Sequence, residues 1–461
     1  MNKYKILTIL GMAGLLFFSS CSNFLDVNED PTRVSEVRLS LLLPTAIERT
    51  SSAHYSAAYY ACQATHQIDA FGGYYGDFQM SSLWSREYLS ILNNLDVLVE
   101  QSTAEKSPYY TGAAQVLQAL NVGLIADTWE DAPFAEALKG PDEIHPSYDS
   151  QSDLYNTVMG MLDNAIANLQ QEDSFEAPAD DDLVYGGNIE QWLKLAHSLK
   201  ARFMLHLSNK SPNWQAILDE VDQGMTSNED NFQLFYSEAN PNPWYTNVAK
   251  AAETGNFSVT HATYLINLLN GTTYGVEDPR APLIADPGFD TVAIADYVGF
   301  VSWDPDAPES NTLISAKIIQ AETPIVMMSY DELKFIEAEA ALNVDAARAQ
   351  AAYEEGIRAN FERLGASGVD DYLADPAVAT ADLEHIMKEK YIALFLNVES
   401  WTDMRRHHYD PAVYKDFVEP DVLGRNMPAQ RALYPDTEKT RNADQASAHR
   451  KDFTAPMWRD Q

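Results

Sequence analysis

The sequence predicts a mainly α-helical protein whose helices pair side by side, as in tetratricopeptide stacks. Three observations support this fold class. Apolar residues recur every three or four positions in a series of segments. Capping residues such as Ser150, Asn188 and Ser329 stand just before these segments. Helix starts follow one another at roughly 35 to 40 residues, near the tetratricopeptide period of about 34. The literal tetratricopeptide signature is missing, so we expect stacked pairs and no regular array.

In the N-terminal half, apolar stripes predict four long helices joined by short connections, which favours antiparallel hairpins. They are Leu41 to Tyr60 after Ser40, Tyr110 to Asp127, Leu154 to Leu169 after Ser150, and the segment from Asn188 through Trp192 and Phe203. Cys62 follows the first of them in a run of small and aromatic residues, so we interpret it as a core residue and not as a nucleophile.

In the C-terminal half, the pattern predicts three further helices. The first begins at Ser329, with Leu333 and Ile336 on one face. The second runs from Asp345 to Leu364, with Gly365 as the stop, and the third carries Leu383, Met387 and Tyr391 on one face. After Trp401 the chain is polar and no stripe is visible, so we expect irregular structure up to Gln461.

Between the two helical halves lies a segment of different composition, about residues 228–323. Turn-forming motifs such as Asn240-Pro241-Asn242-Pro243 and Asp304-Pro305-Asp306 punctuate it, and a helical pattern survives only around 260–269. We predict a loop-rich insertion with a few short strands. Long loops on a rigid scaffold are where binding sites tend to lie.

Composition limits the function classes. The apolar fraction of 46% and the aromatic fraction of 11% are those of a globular protein. The net charge of −37 makes nucleic-acid binding improbable, because such proteins need a basic surface. It fits a soluble receptor for a neutral ligand or a basic partner.

The first residues have the order of a secretory signal peptide. Lys3 and Lys5 precede an apolar run from Ile6 to Phe18, and small residues lead to Cys21. This ending resembles the lipobox of bacterial lipoproteins, with an ordinary cleaved signal as the alternative. We therefore predict a signal peptide at 1–20, a lipidated tether at 21–40 and one domain at 41–461. Acyl chains on Cys21 would hold the protein at a membrane, and Ser22 favours the outer membrane, with the chain facing the exterior.

Aromatic side chains outside the packed helix faces are candidates for ligand binding, because flat ligands such as pyranose rings stack their CH groups on them. An amide beside them could contact hydroxyl groups. For each one, packing onto the helical body is the alternative. The predicted ligand-binding residues are Tyr74, Tyr75, Trp84, Asn242, Trp244, Tyr245 and Trp303.

No catalytic residue, metal site or cofactor is predicted. Neither a Gly-x-Ser-x-Gly elbow nor a His-Glu-x-x-His motif occurs. His407 and His408 are adjacent, which places their rings on different helix faces. Asp180 to Asp182 could contact calcium, but we favour a solvated acidic loop. Trp401 with Arg405 and Arg406 could form a cation–π cluster, which we interpret as structural.

Several ordered motifs resemble one family. They are Asp127 to Ala137, with Glu130 where Gly is usual, Asp278-Pro279-Arg280, Tyr330 to Ala340, Tyr353 to Arg358, Lys390 to Tyr409, and the group Met427-Pro428, Arg431, Tyr434-Pro435 and Glu438. Together they are similar to the SusD/RagB family of outer-membrane nutrient-binding lipoproteins, from Cys21 to about Asn442.

The resemblance implies one large SusD-like helical domain, no enzymatic activity, and a SusC-like TonB-dependent transporter as partner. It transfers no ligand-contacting residue to this chain. Our hypothesis is a surface lipoprotein that binds a glycan or another nutrient and passes it to the transporter. The alternatives are a lipid-anchored glycoside hydrolase or lyase and, less favoured, a scaffold that binds only a protein partner.

Overall fold

The computed structural model describes residues 37–70, 79–140, 143–256, 258–287, 292–301, 309–314, 317–419 and 427–461. Up to residue 221 it is helical apart from one short strand. The elements are α1 (Leu39–Ala64), β1 (Ile68–Ala70), α2 (Ser81–Arg86), a π-helix (Glu87–Leu92), α3 (Asn93–Ala104), α4 (Pro108–Trp129), α5 (Gln151–Leu169), α6 (Ile189–His206) and α7 (Trp214–Val221).

The next part, up to residue 328, holds short elements. They are a 3₁₀ turn (Asn228–Asp230), β2 (Phe232–Leu234), a second π-helix (Tyr245–Ala249), α8 (Lys250–Glu253), β3 (Val259–His261), α9 (Thr263–Leu269), α10 (Ala281–Ile284), β4 (Ala285–Asp286), a 3₁₀ turn (Ile294–Asp296), β5 (Leu313–Ile314) and β6 (Ile325–Met328). The strands form three antiparallel pairs, β1 with β3, β2 with β6 and β4 with β5.

Helices return in the last part. They are α11 (Tyr330–Ala341), α12 (Ala346–Leu364), α13 (Val369–Ala374), α14 (Leu383–Ala393), α15 (Glu399–Arg406), α16 (Asp436–Arg441), α17 (Ala443–His449) and a final 3₁₀ turn (Trp458–Asp460). The mainly helical, tetratricopeptide-like fold class predicted from the sequence is confirmed. The predicted insertion is also loop-rich, although it contains more short helices than the segment 260–269 alone.

The long helices pack as pairs, α4 with α5 and α11 with α12, and small residues let their backbones approach closely. A Cβ atom at Gly123 of α4 would lie 2.3 Å from Cε1 of Phe203 on α6. One at Gly356 of α12 would lie 2.9 Å from Cε1 of Phe335 on α11. Both positions therefore exclude any larger side chain without displacement of a core ring.

The predicted helix ends are confirmed at the capping residues. Ser150 Oγ accepts from the backbone N–H of Asp153, Asn188 from Glu190 and Gln191, and Ser329 from Glu332. Each cap satisfies a backbone donor that has no partner within the helix. Gly365 ends α12 with φ of 69°, a left-handed conformation that favours glycine.

A buried ionic network crosses the helical body, by which we mean α4 to α6, α11, α12, α14 and α15. Arg202 of α6 donates through Nη2 to Glu332 Oε2 at 2.6 Å. His206 lies between Glu399 of α15, at 3.1 Å, and Asp127 of α4, at 3.2 Å. Burial alone would raise the pKa of Glu399, yet Arg202 and His206 lower it. These pairs tie four helices together, so none of the charges is buried without a partner.

A second buried pair joins the insertion to the body through the Asp278-Pro279-Arg280 motif. The Arg280 guanidinium is fully buried and contacts Asp278, Glu389 of α14 and Asn360 of α12. Burial opposes ionisation of Glu389, but Lys388 and Arg280 lower its pKa. The motif is therefore structural and fixes the insertion on two helices.

The expectation of irregular structure after Trp401 is wrong in part, because α15, α16, α17 and the last 3₁₀ turn follow or include that residue. These helices are short and carry no apolar stripe, because α15 buries mainly polar residues, α16 buries no side chain and α17 buries only Ala446. Arg405 lies 3.8 Å from the Trp401 ring, which confirms the structural cation–π interpretation. Arg406 instead pairs with Glu339 and Asp403.

The expectation that Asp180 to Asp182 form a solvated acidic loop is wrong for Asp182. Its carboxylate is buried and accepts from the backbone N–H of Tyr185 and Gly187 and from Trp192 Nε1, the last at 2.7 Å. The loop is organised around this side chain, because the carboxylate replaces the backbone acceptors that an irregular segment lacks.

Candidate ligand-binding cleft

Three tyrosines of α1 form the floor of an open cleft of about 370 Å³, which we call the tyrosine cleft. Tyr55, Tyr59 and Tyr60 are half-buried, so one part of each ring faces solvent. The rings of Tyr55 and Tyr59 lie 6.4 Å apart, and those of Tyr59 and Tyr60 lie 5.7 Å apart at 82°. The volume is within the range of about 300 to 1,000 Å³ typical of small-molecule sites.

The walls of the tyrosine cleft come from α2 and from the insertion. Met80 and the first turn of α2 form one side, and Asn247 with Ser258 form the other. Asn247 Nδ2 donates to Tyr55 Oη at 3.0 Å, so the insertion is fixed to α1 at the cleft. The described lining therefore combines aromatic faces with uncharged hydrogen-bonding groups. The polar lining residues are Ser56, Ser81, Ser82, Ser258 and Asn247.

One of the two π-helices in the described chain contributes to this cleft. Tyr245–Ala249 contains the lining residue Asn247, whereas Glu87–Leu92 follows α2 and contributes no lining residue. π-helices make up well under 1% of residues in proteins and are frequent at functional sites. The π-helix around Asn247 therefore supports the assignment of the cleft as a candidate binding site.

The surroundings of the cleft disfavour charge. Burial raises the pKa of Tyr55 to about 12, although the hydrogen bond from Asn247 opposes this. Burial also raises the pKa of Tyr59. Glu87, at the start of the first π-helix, is completely buried, and this burial raises its pKa well above the usual range. Burial therefore disfavours the charged form of all three groups.

Trp244 forms a second layer behind the cleft. Its indole is 4% exposed and packs edge-on against Tyr55, with ring centroids 5.0 Å apart, and at 6.0 Å from Tyr59. Its backbone N–H donates to Asn242 Oδ1 at 2.7 Å, and Asn242 Nδ2 donates to the Thr323 carbonyl. Trp244 and Asn242 line a smaller pocket of about 100 Å³ on the other side. Tyr245 is half-buried against the core.

Trp84 also lies behind the cleft, on α2. It is 6% exposed and packs against Trp129 at 5.0 Å and Tyr88 at 4.8 Å between ring centroids. Both indoles are removed from water by packing on the helical body, which is the alternative named for each candidate aromatic residue. Their direct contact with a ligand stays a prediction.

The remaining predicted site residues, Tyr74, Tyr75 and Trp303, lie outside the described residues, as does the proposed lipidation site Cys21. Sequence reasoning missed Tyr55, Tyr59 and Tyr60, because they belong to an apolar helical stretch interpreted as core. The available signal was their clustering, three tyrosines within six positions of one helix. Tyr55 and Tyr59 lie on the same helix face, but Tyr60 is turned about 100° from Tyr59, so a buried face would have to span roughly 140° to cover all three.

Within the described ranges no catalytic arrangement stands out. No group of three or more His, Cys, Asp or Glu side chains in that part of the chain could hold a metal ion. Cys62 is completely buried in α1, and burial raises the pKa of its thiol, which keeps it protonated. It is a core residue, as predicted. None of the helices in the described part has the length and apolar character to span a bilayer.

Comparison with known proteins identifies the class. The SusD-like family described as starch-binding and associating with the outer membrane matches residues 31–435, so the chain belongs to the SusD-like family. A SusD/RagB family protein of Bacteroides thetaiotaomicron shares 26% identity with a TM-score of 0.72, covering 92% of this chain and 99% of that one. No curated protein matches the chain.

Two further structures are described by what they bind. One is a chitin-binding protein, with 22% identity, a TM-score of 0.75 and coverage of 91% of this chain and 99% of that one. The other is a chitin-binding SusD homologue from Flavobacterium johnsoniae, with 19% identity, a TM-score of 0.74 and coverage of 92% and 98%. At these identities the likeness shows the shared fold.

The structure also explains the departure from the family motif at Glu130. Its φ of 76° is in the left-handed region, where glycine is the usual residue. The carboxylate is 1% exposed and pairs with Arg431 and with Lys451, the latter at 2.6 Å. We infer that this chain offsets a backbone strain of about 1 to 3 kcal/mol with a buried ionic contact to its C-terminal segment.

Proposed function

We propose that this protein is a surface lipoprotein that binds a glycan in the tyrosine cleft. The observation that carries the proposal is the cleft itself: three half-buried tyrosine rings beside uncharged polar side chains, in a chain of the SusD-like family. The family description as starch-binding and the chitin-binding neighbours support a polysaccharide ligand.

The geometry suits sugar binding because the lining offers two kinds of contact. The exposed parts of the tyrosine rings give apolar faces for the CH groups of a pyranose. The serine hydroxyls and the Asn247 amide both donate and accept, as the hydroxyl groups of a sugar do. Because the rings are fixed by Trp244 and by Asn247, little conformational entropy would be lost on binding.

The described lining of the cleft contains no carboxylate, and a glycosidase needs two of them on either side of the scissile bond. This favours binding over the hydrolase alternative. We therefore propose capture without turnover.

We further propose that acylation of Cys21 anchors the protein to the outer membrane with the cleft on the exterior. Eighteen Cα steps separate Cys21 from Leu39, the first residue of α1, and a fully extended chain of that length spans at most roughly 60 Å. The folded part could thus stay close to a SusC-like TonB-dependent transporter and release its ligand there. Loss of membrane attachment in a Cys21→Ala variant, measured by cell fractionation, would support the anchor; full retention would contradict it.

The binding site is tested by Tyr59→Ala. We expect a loss of affinity of at least tenfold, about 1.4 kcal/mol, for whichever polysaccharide binds the parent protein. Tyr59→Phe keeps the ring and should bind within a few-fold of the parent. Affinity electrophoresis across a polysaccharide panel finds the ligand, and isothermal calorimetry gives the Kd.

The matched control is Tyr109→Ala, a half-buried tyrosine at the start of α4 that does not line the cleft. Unchanged affinity in this control, with loss in Tyr59→Ala, places the ligand on the cleft. Equal affinity of Tyr59→Ala and the parent protein would remove the cleft from the proposal. Release of reducing sugars by the purified protein would instead favour the hydrolase.

A further inference from the structure

The described lining of the tyrosine cleft carries no charged side chain, although the chain as a whole is rich in charge. Charged residues make up 21% of the sequence, and its net charge is −37. Among the described residues that line the cleft there is no Asp, Glu, Lys, Arg or His. The recognition groups are therefore hydroxyl groups, one amide and apolar faces.

Two charged side chains follow the lining part of α2 in the chain. Arg86 lies one turn beyond the lining part of α2, and its Nη1 donates to the Ser52 carbonyl at 2.6 Å and to Ser56 Oγ at 2.7 Å. It thus joins α2 to α1 and orients a lining serine. The next residue, Glu87, is completely buried.

We propose that the cleft selects an uncharged stretch of oligosaccharide and discriminates against uronate or sulfated sugars and against cationic amino sugars. This inference rests on the proposed function of the same cleft and names its substrate class. A charged group that enters loses hydration without gaining a counter-charge, whereas hydroxyl and acetamido groups find donors and acceptors. The raised pKa of Tyr55 reports the same property, because burial there disfavours negative charge.

Two components of the discrimination can be separated by salt. The acidic chain repels an anionic ligand and attracts a cationic one over long distances, and salt screens this effect beyond a Debye length of about 8 Å at physiological ionic strength. The loss of hydration inside the cleft is local and persists at high salt. Binding of an uncharged ligand should depend on salt very little.

The test measures Kd by calorimetry with four hexasaccharides at 0.05 and 0.5 M NaCl, using the purified protein. The neutral probes are the hexamers of N-acetylglucosamine and of β-1,4-glucose. The charged probes are the hexamers of galacturonic acid and of glucosamine, the second being the deacetylated match of the first neutral probe. We expect at least one neutral hexamer to bind with a Kd that changes less than about twofold with salt. Both charged hexamers should bind at least tenfold more weakly at 0.5 M NaCl.

A charge placed in the cleft gives a second test. In Ser82→Lys, the Kd for the galacturonate hexamer, divided by the Kd for the neutral hexamer, should fall at least tenfold. A charged hexamer that binds the parent protein as tightly as the neutral ones at 0.5 M NaCl would overturn the substrate class. If Tyr59→Ala also weakens binding of that charged hexamer, the cleft remains the binding site and only the proposed substrate class is wrong. Binding unaffected by Tyr59→Ala, or no binding by any hexamer, counts against the site itself.

Discussion

In the helical body, charged side chains are buried in pairs, as Arg202 is with Glu332 and His206 is with Glu399. In the tyrosine cleft, which is only half-buried, the described lining carries no charge. The body uses ions where complementary partners are fixed on neighbouring helices. Under our proposal the cleft accepts a ligand from water, and an unpaired charge in its lining would hold water that the ligand must displace. The comparison then indicates that buried ion pairs stabilise the helical body, whereas uncharged polar groups bind the ligand.

The largest expected effect comes from breaking a buried pair. Arg280→Leu leaves Asp278 without its cation and Glu389 with Lys388 alone, so we expect a loss of about 3 to 5 kcal/mol in the free energy of unfolding. Urea denaturation followed by circular dichroism measures it. The control is Arg348→Leu, whose partly exposed pairs with Asp222 and Glu337 should contribute less than about 1 kcal/mol. Equal losses in the two variants would show that burial does not set the strength of these contacts.

Removal of the indole behind the cleft should affect both regions. Trp244→Ala deletes a side chain that is 4% exposed and should cost about 3 kcal/mol of stability because a cavity remains. Glycan affinity should fall as well, since Tyr55 and Tyr59 lose the ring on which they rest. Stability comes from urea denaturation and affinity from calorimetry on the same preparation. A variant with parental stability would mean that the indole contributes to the cleft alone.

Low pH should reduce the free energy of unfolding of the helical body. Burial opposes ionisation of Asp127 and Glu399, but neighbouring cations lower the pKa of both. Their stabilisation is complete above the ordinary carboxyl pKa and is lost as pH falls through the lowered values in the folded protein. His206 has the opposite sign: burial opposes its protonation, but Glu399 and Asp127 raise its pKa. Its contribution is complete below pH 6.5 and is lost as pH rises through the raised value.

Burial also lowers the pKa of His54 and His261 to about 3, so their stabilisation is lost as pH falls below 6.5. The free energy of unfolding should therefore be highest at about pH 6 to 7 and fall on both sides, by roughly 3 kcal/mol at pH 3. A His206→Gln variant should lose the decline on the alkaline side and keep the acid one. A urea midpoint that stays constant from pH 3 to 8 would contradict the assigned charges.

The smallest expected effect is in the cleft. Its described lining has no group that titrates near neutrality, and the pKa of Tyr55 is about 12. The Kd for an uncharged ligand should therefore stay within about twofold from pH 5 to 9, while the body changes stability. Competition calorimetry at fixed ionic strength measures it. A bell-shaped or sigmoidal dependence would reveal an ionisable group that contacts the ligand.

Much of the fold was predictable, because long helices leave periodic evidence. The caps at Ser150, Asn188 and Ser329 and the stop at Gly365 all agree with the structure. Short elements leave no periodic pattern in the sequence: α8 and α10 have four residues each, which are too few for an apolar stripe. Helix α15 is held by buried charges such as Arg405 and Arg406, and a sequence does not show whether its polar residues will be surrounded by partners in the fold.

The sequence predicted residues that lie beside the candidate site but not the tyrosines that line it. The sequence pointed to Trp84, Asn242 and Trp244, which in the structure lie behind the cleft rather than in its wall. The tyrosines of α1 reach the surface because the insertion covers only one side of that helix, at Asn247 and Trp244. This is a long-range contact, and a local pattern cannot distinguish it from ordinary core packing.

The most direct test of the central claim is a crystal structure of the protein soaked with the uncharged hexasaccharide that binds best in calorimetry. We expect sugar rings against Tyr55 and Tyr59, with hydroxyl groups near Asn247 and the α2 serines and no charged side chain within about 4 Å of the ligand. Ligand density at another surface, or a sugar held in the cleft by a charged residue, would contradict the account.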